Sequence, residues 1–226
     1  MGLVQDSTAW DVVDRLRAAL LDGRFAHGSK LKPDTLRTSL GCSASAVREA
    51  LFRLSTEGLV QFHPQRGFRV PQRDIELLHD ITQVRIMIEE QGACRSIRNA
   101  DVAWEARLTA AHHKLSHIES RVQRTEPTDE VFQLWVRGEQ EFHQTLIGNC
   151  GSQILVDMHL AIYRRFRQQM VTSDRDFTHL PVNRDQHLEI LDAALARDED
   201  GVCRRIRAHL GRHLVRPIPE REAVPA

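Results

Sequence analysis

The segment Glu139-Gln140-Glu141-Phe142-His143 sets an acid and a histidine four residues apart. On a helix, residues i and i+4 share a face, so Glu139 and His143 could grip a divalent metal or simply pair at the surface. Glu141, two positions after Glu139, points about 160° away from it and leaves that face. A second couple at the same spacing is Arg85 with Glu89, flanked by Ile81, Val84, Ile88 and Gly92. Aimed into a helical bundle, Arg85 would clamp a carboxylate through its planar fork; aimed outward, it would be half of a surface ion pair. His113 and His117 repeat the spacing without a companion motif and read as a solvated face. No H-E-x-x-H, nucleophile elbow or phosphate-binding glycine loop occurs.

These residues need a scaffold, and the bulk numbers bound it. The 226 residues are 41% hydrophobic and 27% charged, which suits one large or two small globular domains. Net charge is zero but unevenly spread. Residues 1–72 carry 10 Lys+Arg against 7 Asp+Glu; residues 73–226 carry 21 against 24, with ten of the twelve histidines. A basic front and a histidine-rich, acidic back imply two jobs. Cys42, Cys94, Cys150 and Cys203 form no C-x-x-C pair, which argues against a thiolate zinc site and fits a reducing cytoplasm. No signal peptide or membrane span is expected.

The elements follow from periodicity and breakers. A helix opens at a Ser7/Thr8 cap and stops at Gly23; a second runs from Pro33 and Asp34 to Gly41; a third is capped by Ser43 and stops at Gly58. "LVQFHPQRGFRV" reads as a β-hairpin around a Pro-Gln-Arg-Gly turn. Long helical patterns follow near 74–98, 102–123, 129–147, 152–171, 184–197 and 200–214, with breaks that include "RTEPTD" and "SDRDFTHLPVN". The fold class is therefore mainly α. A winged helix-turn-helix over 1–72 precedes an all-helical bundle over 73–215 and a loose Pro-rich tail over 216–226.

In a winged helix-turn-helix the third helix enters the DNA major groove. Its first residues, Ser43, Ala44, Ser45 and Arg48, would then face base edges, with Arg48 able to donate two hydrogen bonds to guanine. Arg66 at the hairpin tip would reach the minor groove or the backbone. The competing reading is a small helical domain with a solvated face, since such shapes also serve protein contacts.

The stretch from "LLDGRF" to "RGFRV" resembles the winged-helix domain of the GntR family of bacterial transcription regulators. The shared elements are the Gly23–Leu31 lead-in, "LG" before the third helix, "VREAL", "L-x-x-EGLV" and the Arg66-Gly67 wing tip. The chain departs from the family's S-R-T-P-V-R-E-A-L at Ala44 and Ala46. The helical part resembles the FadR-type (FCD) branch, many of whose members hold a metal with one acid and three histidines. That resemblance implies the ligands Glu139, His143, His187 and His209, with Glu139 where the family more often has Asp. His213, one turn after His209 and also followed by Leu, competes for the last position. It also implies that Arg85, in an R-x-x-(I/L)-E element, faces the effector cavity.

Imidazoles with a carboxylate suit Zn²⁺ or Ni²⁺ foremost, with Mn²⁺ and Fe²⁺ within range, and would leave positions open for a small carboxylate. The expected protein is a cytoplasmic, homodimeric repressor that reads a palindromic operator in double-stranded DNA and answers to an organic or sugar acid. Two readings compete: a metal-dependent enzyme carrying a passenger winged helix, and a regulator that senses its ligand without metal.

Overall fold

The computed structural model describes residues 9–122, 128–171 and 180–215. The Ser7/Thr8 cap, most of the "RTEPTD" break, the first part of "SDRDFTHLPVN" and the tail over 216–226 lie outside the described residues. The chain divides into two units. The first runs through Asp74 and takes in the end of the seventh helix from Arg167; the second holds the remainder from Ile75.

The first unit orders its elements as α1 (Ala9–Leu21), β1 (Lys30–Leu31), α2 (Pro33–Leu40), α3 (Ala44–Thr56), β2 (Gln61–His63) and β3 (Gly67–Arg69). Proline occupies the first turn of α2, where its missing N–H costs nothing. Gly41 ends α2 in the left-handed region (φ 66°), which frees the chain to turn sharply. Ser43 then caps α3, its side chain accepting from the Ala46 N–H at 3.1 Å. Val12, Leu16 and Leu20 of α1 pack with Val47, Leu51 and Leu54 of α3, and Leu31, Phe68 and Val70 close the core from the wing. The wing is more than the expected hairpin. β1 pairs antiparallel with β3, opposite β2, giving the order β1-β3-β2.

The second unit is α4 (Ile75–Arg98), α5 (Val102–Val122), α6 (Asp129–Ile147), α7 (Gln153–Met170, through Phe166), α8 (Leu180–Leu195) and α9 (Glu199–Gly211). Thr128 caps α6 and Asp198 caps α9, each accepting from a backbone N–H three residues on. α5 lies along α6 and α8, while α4 lies along α9 and α6. The largest boundary difference from expectation is at α8, which begins at Leu180, not near 184; α9 also ends at Gly211, short of the expected 214. Pro181 reads as a breaker, but in a first turn it has no intrahelical donor to lose. Val84, expected to flank Arg85 inside, is exposed instead.

Candidate functional site

Every side chain of the expected sensor site is buried within the second unit. Arg85 and Glu89 come from α4, Glu139 and His143 from α6, His187 from α8 and His209 from α9, all at 3% exposure or less. One ring nitrogen from each of His143, His187 and His209 lies within 4.8 Å of the others. Phe142 packs edge-on against both His143 and His187 and closes this cluster from one side. His213 is not in the cluster; it stacks edge-on against Phe166 and takes a hydrogen bond from Arg212.

Two of the three clustered histidines have an oxygen hydrogen-bonded at Nδ1, and the third has one farther off. Glu89 Oε2 is 2.8 Å from Nδ1 of His143, Gln186 Oε1 is 3.1 Å from that of His209, and Glu119 Oε1 is 3.5 Å from that of His187. In His143 and His209 the carboxylate or amide oxygen assigns the proton to Nδ1 and leaves a lone pair on Nε2, whereas Nδ1 of His187 has no hydrogen-bond partner. The Nε2 atoms of all three histidines are buried without a hydrogen-bond partner. Burial pushes His143 below its ordinary pKa against the pull of Glu89, and pushes His209 well below, with His187 and His143 adding to the effect. Three buried imidazoles converging from separate helices, two of them held from behind by an oxygen, are the donor set a divalent transition metal requires, so these residues fit such an ion.

Glu139 is adjacent but differently engaged. The Tyr163 hydroxyl donates to its Oε2 at 3.1 Å, and Arg85 Nη2 stands 4.0 Å from its Oε1. Its carboxylate is not among the atoms gathered by the histidines. Glu141 leaves the site, as the helix angle requires, and pairs with Lys114 at the surface.

Arg85 is wholly buried and lies over two rings, its Cζ 5.0 Å from the centre of Tyr163 and 4.6 Å from that of Phe166. Its Nε donates to Glu89 Oε1 at 2.7 Å, while Nη1 and Nη2 have no hydrogen-bond partner. Burial would lower its pKa, but Glu89 and Glu139 more than offset that, so the guanidinium is charged. Burial alone would raise the Glu89 carboxyl; Arg85 first, then His143 and His159, hold it well below the usual range.

Sequence reasoning missed His159. From α7 its Nε2 sits 2.9 Å from Glu89 Oε1, and its Nδ1 is buried without a partner. Glu119 and Gln186 were missed as well. Only the packing of separate helices reveals them, although Gln186 immediately precedes His187.

In the first unit, Ser43, Ser45, Arg48 and Arg66 are exposed, with Ala44 and Gly67 partly covered. Arg48, Arg66 and Gly67 line one groove of about 540 Å³ between α3 and the wing, together with Lys30, Lys32 and Phe62. The two lysines were not anticipated. Their signal is the alternation Lys30-Leu31-Lys32, which buries the leucine and turns both charges outward.

The family model for bacterial regulatory proteins of the gntR family matches residues 8–70, and that for the FCD domain matches residues 80–212. The chain is 33% identical over 200 residues to the HTH-type transcriptional regulator BphR of Paraburkholderia xenovorans, covering 87% of this chain and 79% of that one. It is 29% identical to the HTH-type transcriptional repressor GlaR of Escherichia coli, covering 94% of each. Among solved structures, it shares its fold with McbR/YncC of Escherichia coli (TM-score 0.73, 20% identity, 91% and 94% covered). The same holds for a putative GntR regulator of Rhodococcus sp. RHA1 (TM-score 0.74, 21% identity, 90% and 94% covered). The relatives are regulators of transcription, and the metal-dependent enzyme weighed from the sequence finds no counterpart among them. With both domain models matched in order along its length, the chain belongs to the GntR family of bacterial transcription regulators and carries an FCD domain.

Proposed function

We propose that this regulator is a homodimeric repressor whose helical unit holds a divalent metal and a small carboxylate, and that the carboxylate releases it from a palindromic operator. The observation that carries the reading is the set of buried nitrogens without partners: Nε2 of His143, His187 and His209, and Nη1 and Nη2 of Arg85. Leaving one buried polar group unpaired costs about 1–3 kcal/mol, so a group of five calls for ligands as the missing partners.

His143, His187 and His209 would hold the ion, Zn²⁺ or Ni²⁺ first by the chemistry of the donors, with Mn²⁺ or Fe²⁺ as further candidates. Glu139 stands beside them as the acid that could join. The ion supplies a concentrated positive charge with positions left open for a carboxylate oxygen. Arg85 binds the effector's carboxylate through Nη1 and Nη2, while its bond to Glu89 fixes the plane of the fork. The rings of Tyr163 and Phe166 hold the guanidinium from its face and exclude water. An organic acid or sugar acid has the required chemistry.

At the other end, Arg48 would read a base edge while Lys30, Lys32 and Arg66 neutralise phosphates along the groove. A second copy fits the exposed apolar residues Val84 and Met87 of α4 and Ile154 and Met158 of α7, and two-fold symmetry matches a palindrome. Repression is favoured over activation because the relative GlaR bears the name of a repressor. A preference of about 1–3 kcal/mol of the effector for the DNA-free state gives 5–150-fold release.

The test is metal analysis of protein purified without chelator, followed by a thermal-shift screen of organic and sugar acids with and without added metal. The reading expects a bound transition metal that His187→Ala removes, and a carboxylate whose stabilisation needs both the metal and Arg85. Protein that takes up no metal yet is stabilised by an acid would favour the metal-free regulator. Protein that responds to neither would overturn both forms of the sensor.

A further inference from the structure

Outside the sensor site, α4 and α9 bring two thiols together. Sγ of Cys94 lies 3.3 Å from Sγ of Cys203, across 109 residues of sequence. Both cysteines are half-buried and neither is in a disulfide. The Cys94 thiol also approaches the Glu199 carbonyl at 3.9 Å. Around the pair stand Glu90 and Arg98 from α4, and Glu199 and Arg207 from α9. These four close into two ion pairs, Arg98 with Glu199 and Arg207 with Glu90, one from each helix. The ion pairs already hold the two helices in register at this level. A disulfide would shorten the sulfur separation from 3.3 Å to about 2.05 Å, a movement on the scale of side-chain adjustment.

We infer that Cys94 and Cys203 form a covalent modification site, a reversible disulfide that staples α4 to α9 on exposure to hydrogen peroxide. One thiolate attacks a peroxide oxygen and breaks the O–O bond, giving a sulfenic acid and, after protonation of the leaving hydroxide, water. The second sulfur attacks the sulfenic sulfur and expels a second water, its own proton being lost in the process. Two thiols and one peroxide thus become one disulfide and two waters, with two electrons passing from sulfur to oxygen. A dithiol reductant reverses the change.

The environment sets the rate. Burial pushes both thiols up, Cys203 to about 12, with the neighbouring sulfur adding to the rise there. Thiolate is therefore scarce at neutral pH, and oxidation should be slow there and faster as the pH rises. This is a site for sustained oxidative load. The consequence falls on the helices that carry the sensor residues: Cys94 is five residues beyond Glu89, and Cys203 six before His209.

The experiment treats the reduced, full-length protein with hydrogen peroxide, quenches with an alkylating agent in denaturant so that buried Cys150 also reacts, and maps peptides by mass spectrometry under non-reducing conditions. The expected result is loss of two hydrogens per chain, a linked pair of peptides containing Cys94 and Cys203, and full reversal by dithiothreitol. Cys42 and Cys150 should remain alkylatable, and Cys94→Ser or Cys203→Ser should abolish the link. Amide hydrogen exchange in α9 should slow in the oxidised protein, and its melting midpoint should rise by several degrees. Four alkylatable thiols after prolonged treatment at alkaline pH would overturn the inference. So would sulfinic acid at Cys94 without a link, or a disulfide that joins other cysteines.

Discussion

Glu89 accepts a hydrogen bond from His143 Nδ1 at 2.8 Å through one oxygen, while its other oxygen accepts from Arg85 Nε at 2.7 Å. A single buried carboxylate therefore orients both a proposed metal-binding imidazole and the proposed effector clamp. His159 adds a third donor to it from α7. A group placed this way couples two ligands: whatever fixes His143 also fixes the guanidinium plane, and the linkage is reciprocal.

Glu89→Gln should therefore lower metal affinity by about 10–100-fold, the usual loss when a carboxylate behind a ligating histidine is neutralised. Competition against a chromophoric chelator measures it. The same substitution should reduce the extent to which metal improves carboxylate binding, read by calorimetry with and without metal. Unchanged affinity in a variant that still folds would show that Glu89 is not the orienting group. Glu89→Ala is a harsher change. It leaves the Arg85 charge buried with only the distant Glu139, and should cost roughly 3–5 kcal/mol of stability.

The pH dependence has a definite sign. His143 and His209 titrate near 6.5 when unfolded and below that in the fold, so between those values the unfolded chain binds more protons. Stability from this source is complete above about 6.5 and declines as the pH falls toward the folded-state values. Glu89, depressed from 4.5, adds a loss of the same sign at lower pH. Chelator-treated protein should show a melting midpoint that falls as the pH is lowered through the histidine range, and His209→Gln should flatten that fall. A midpoint that rises on mild acidification would contradict the neutral assignment.

Much of this arrangement was legible from residue order, and the parts that were not share a cause. α4, α5 and α6 follow the apolar spacing because a helix buries one face whatever its neighbours are. Ser43 and Gly41 betray the helix-turn-helix because caps and left-handed turns are local chemistry. β1 was missed because two residues carry no period; it exists only by pairing with β3. Arg85 and Glu89 were seen as a couple, but whether they faced water or the bundle depended on α6 and α7. His209 was favoured over His213 by resemblance alone, since both precede a leucine one turn apart; packing separates them, one inside the histidine cluster and the other against Phe166. His159 had no motif at all, since its partner is 70 residues away.

On the DNA face, Arg48→Ala and the lysine variants should fail differently. Loss of a base contact by Arg48→Ala should cost about 1–3 kcal/mol against the cognate operator and little against random DNA. Lys30→Ala and Lys32→Ala should weaken both equally and each reduce the salt slope of log K by about 1, as phosphate contacts do. Binding titrations at several salt concentrations separate the two outcomes. An unchanged salt slope in the double lysine variant would remove the strand β1 from the interface.

Gly92→Ala tests the packing that holds together the helices of the proposed sensor site. A Cβ at this position of α4 would lie 2.8 Å from both Cβ and Cγ2 of Ile147 on α6, and 3.0 Å from Leu155 Cδ2 on α7. Alanine in a helix is otherwise favoured over glycine by up to about 1 kcal/mol. That gain is outweighed because Ile147 is branched at the contacted carbon and fully buried, so it cannot rotate out of the way. Overpacking of this kind costs about 1–3 kcal/mol, so the net effect should be destabilising by up to about 2 kcal/mol. Chemical denaturation should show a lower midpoint at an unchanged slope. Because the clash pushes α6 and α7 away from α4, and these carry His143 and His159 onto Glu89, metal affinity should fall with it. Equal or greater stability in this variant would mean that the three helices approach less closely than described.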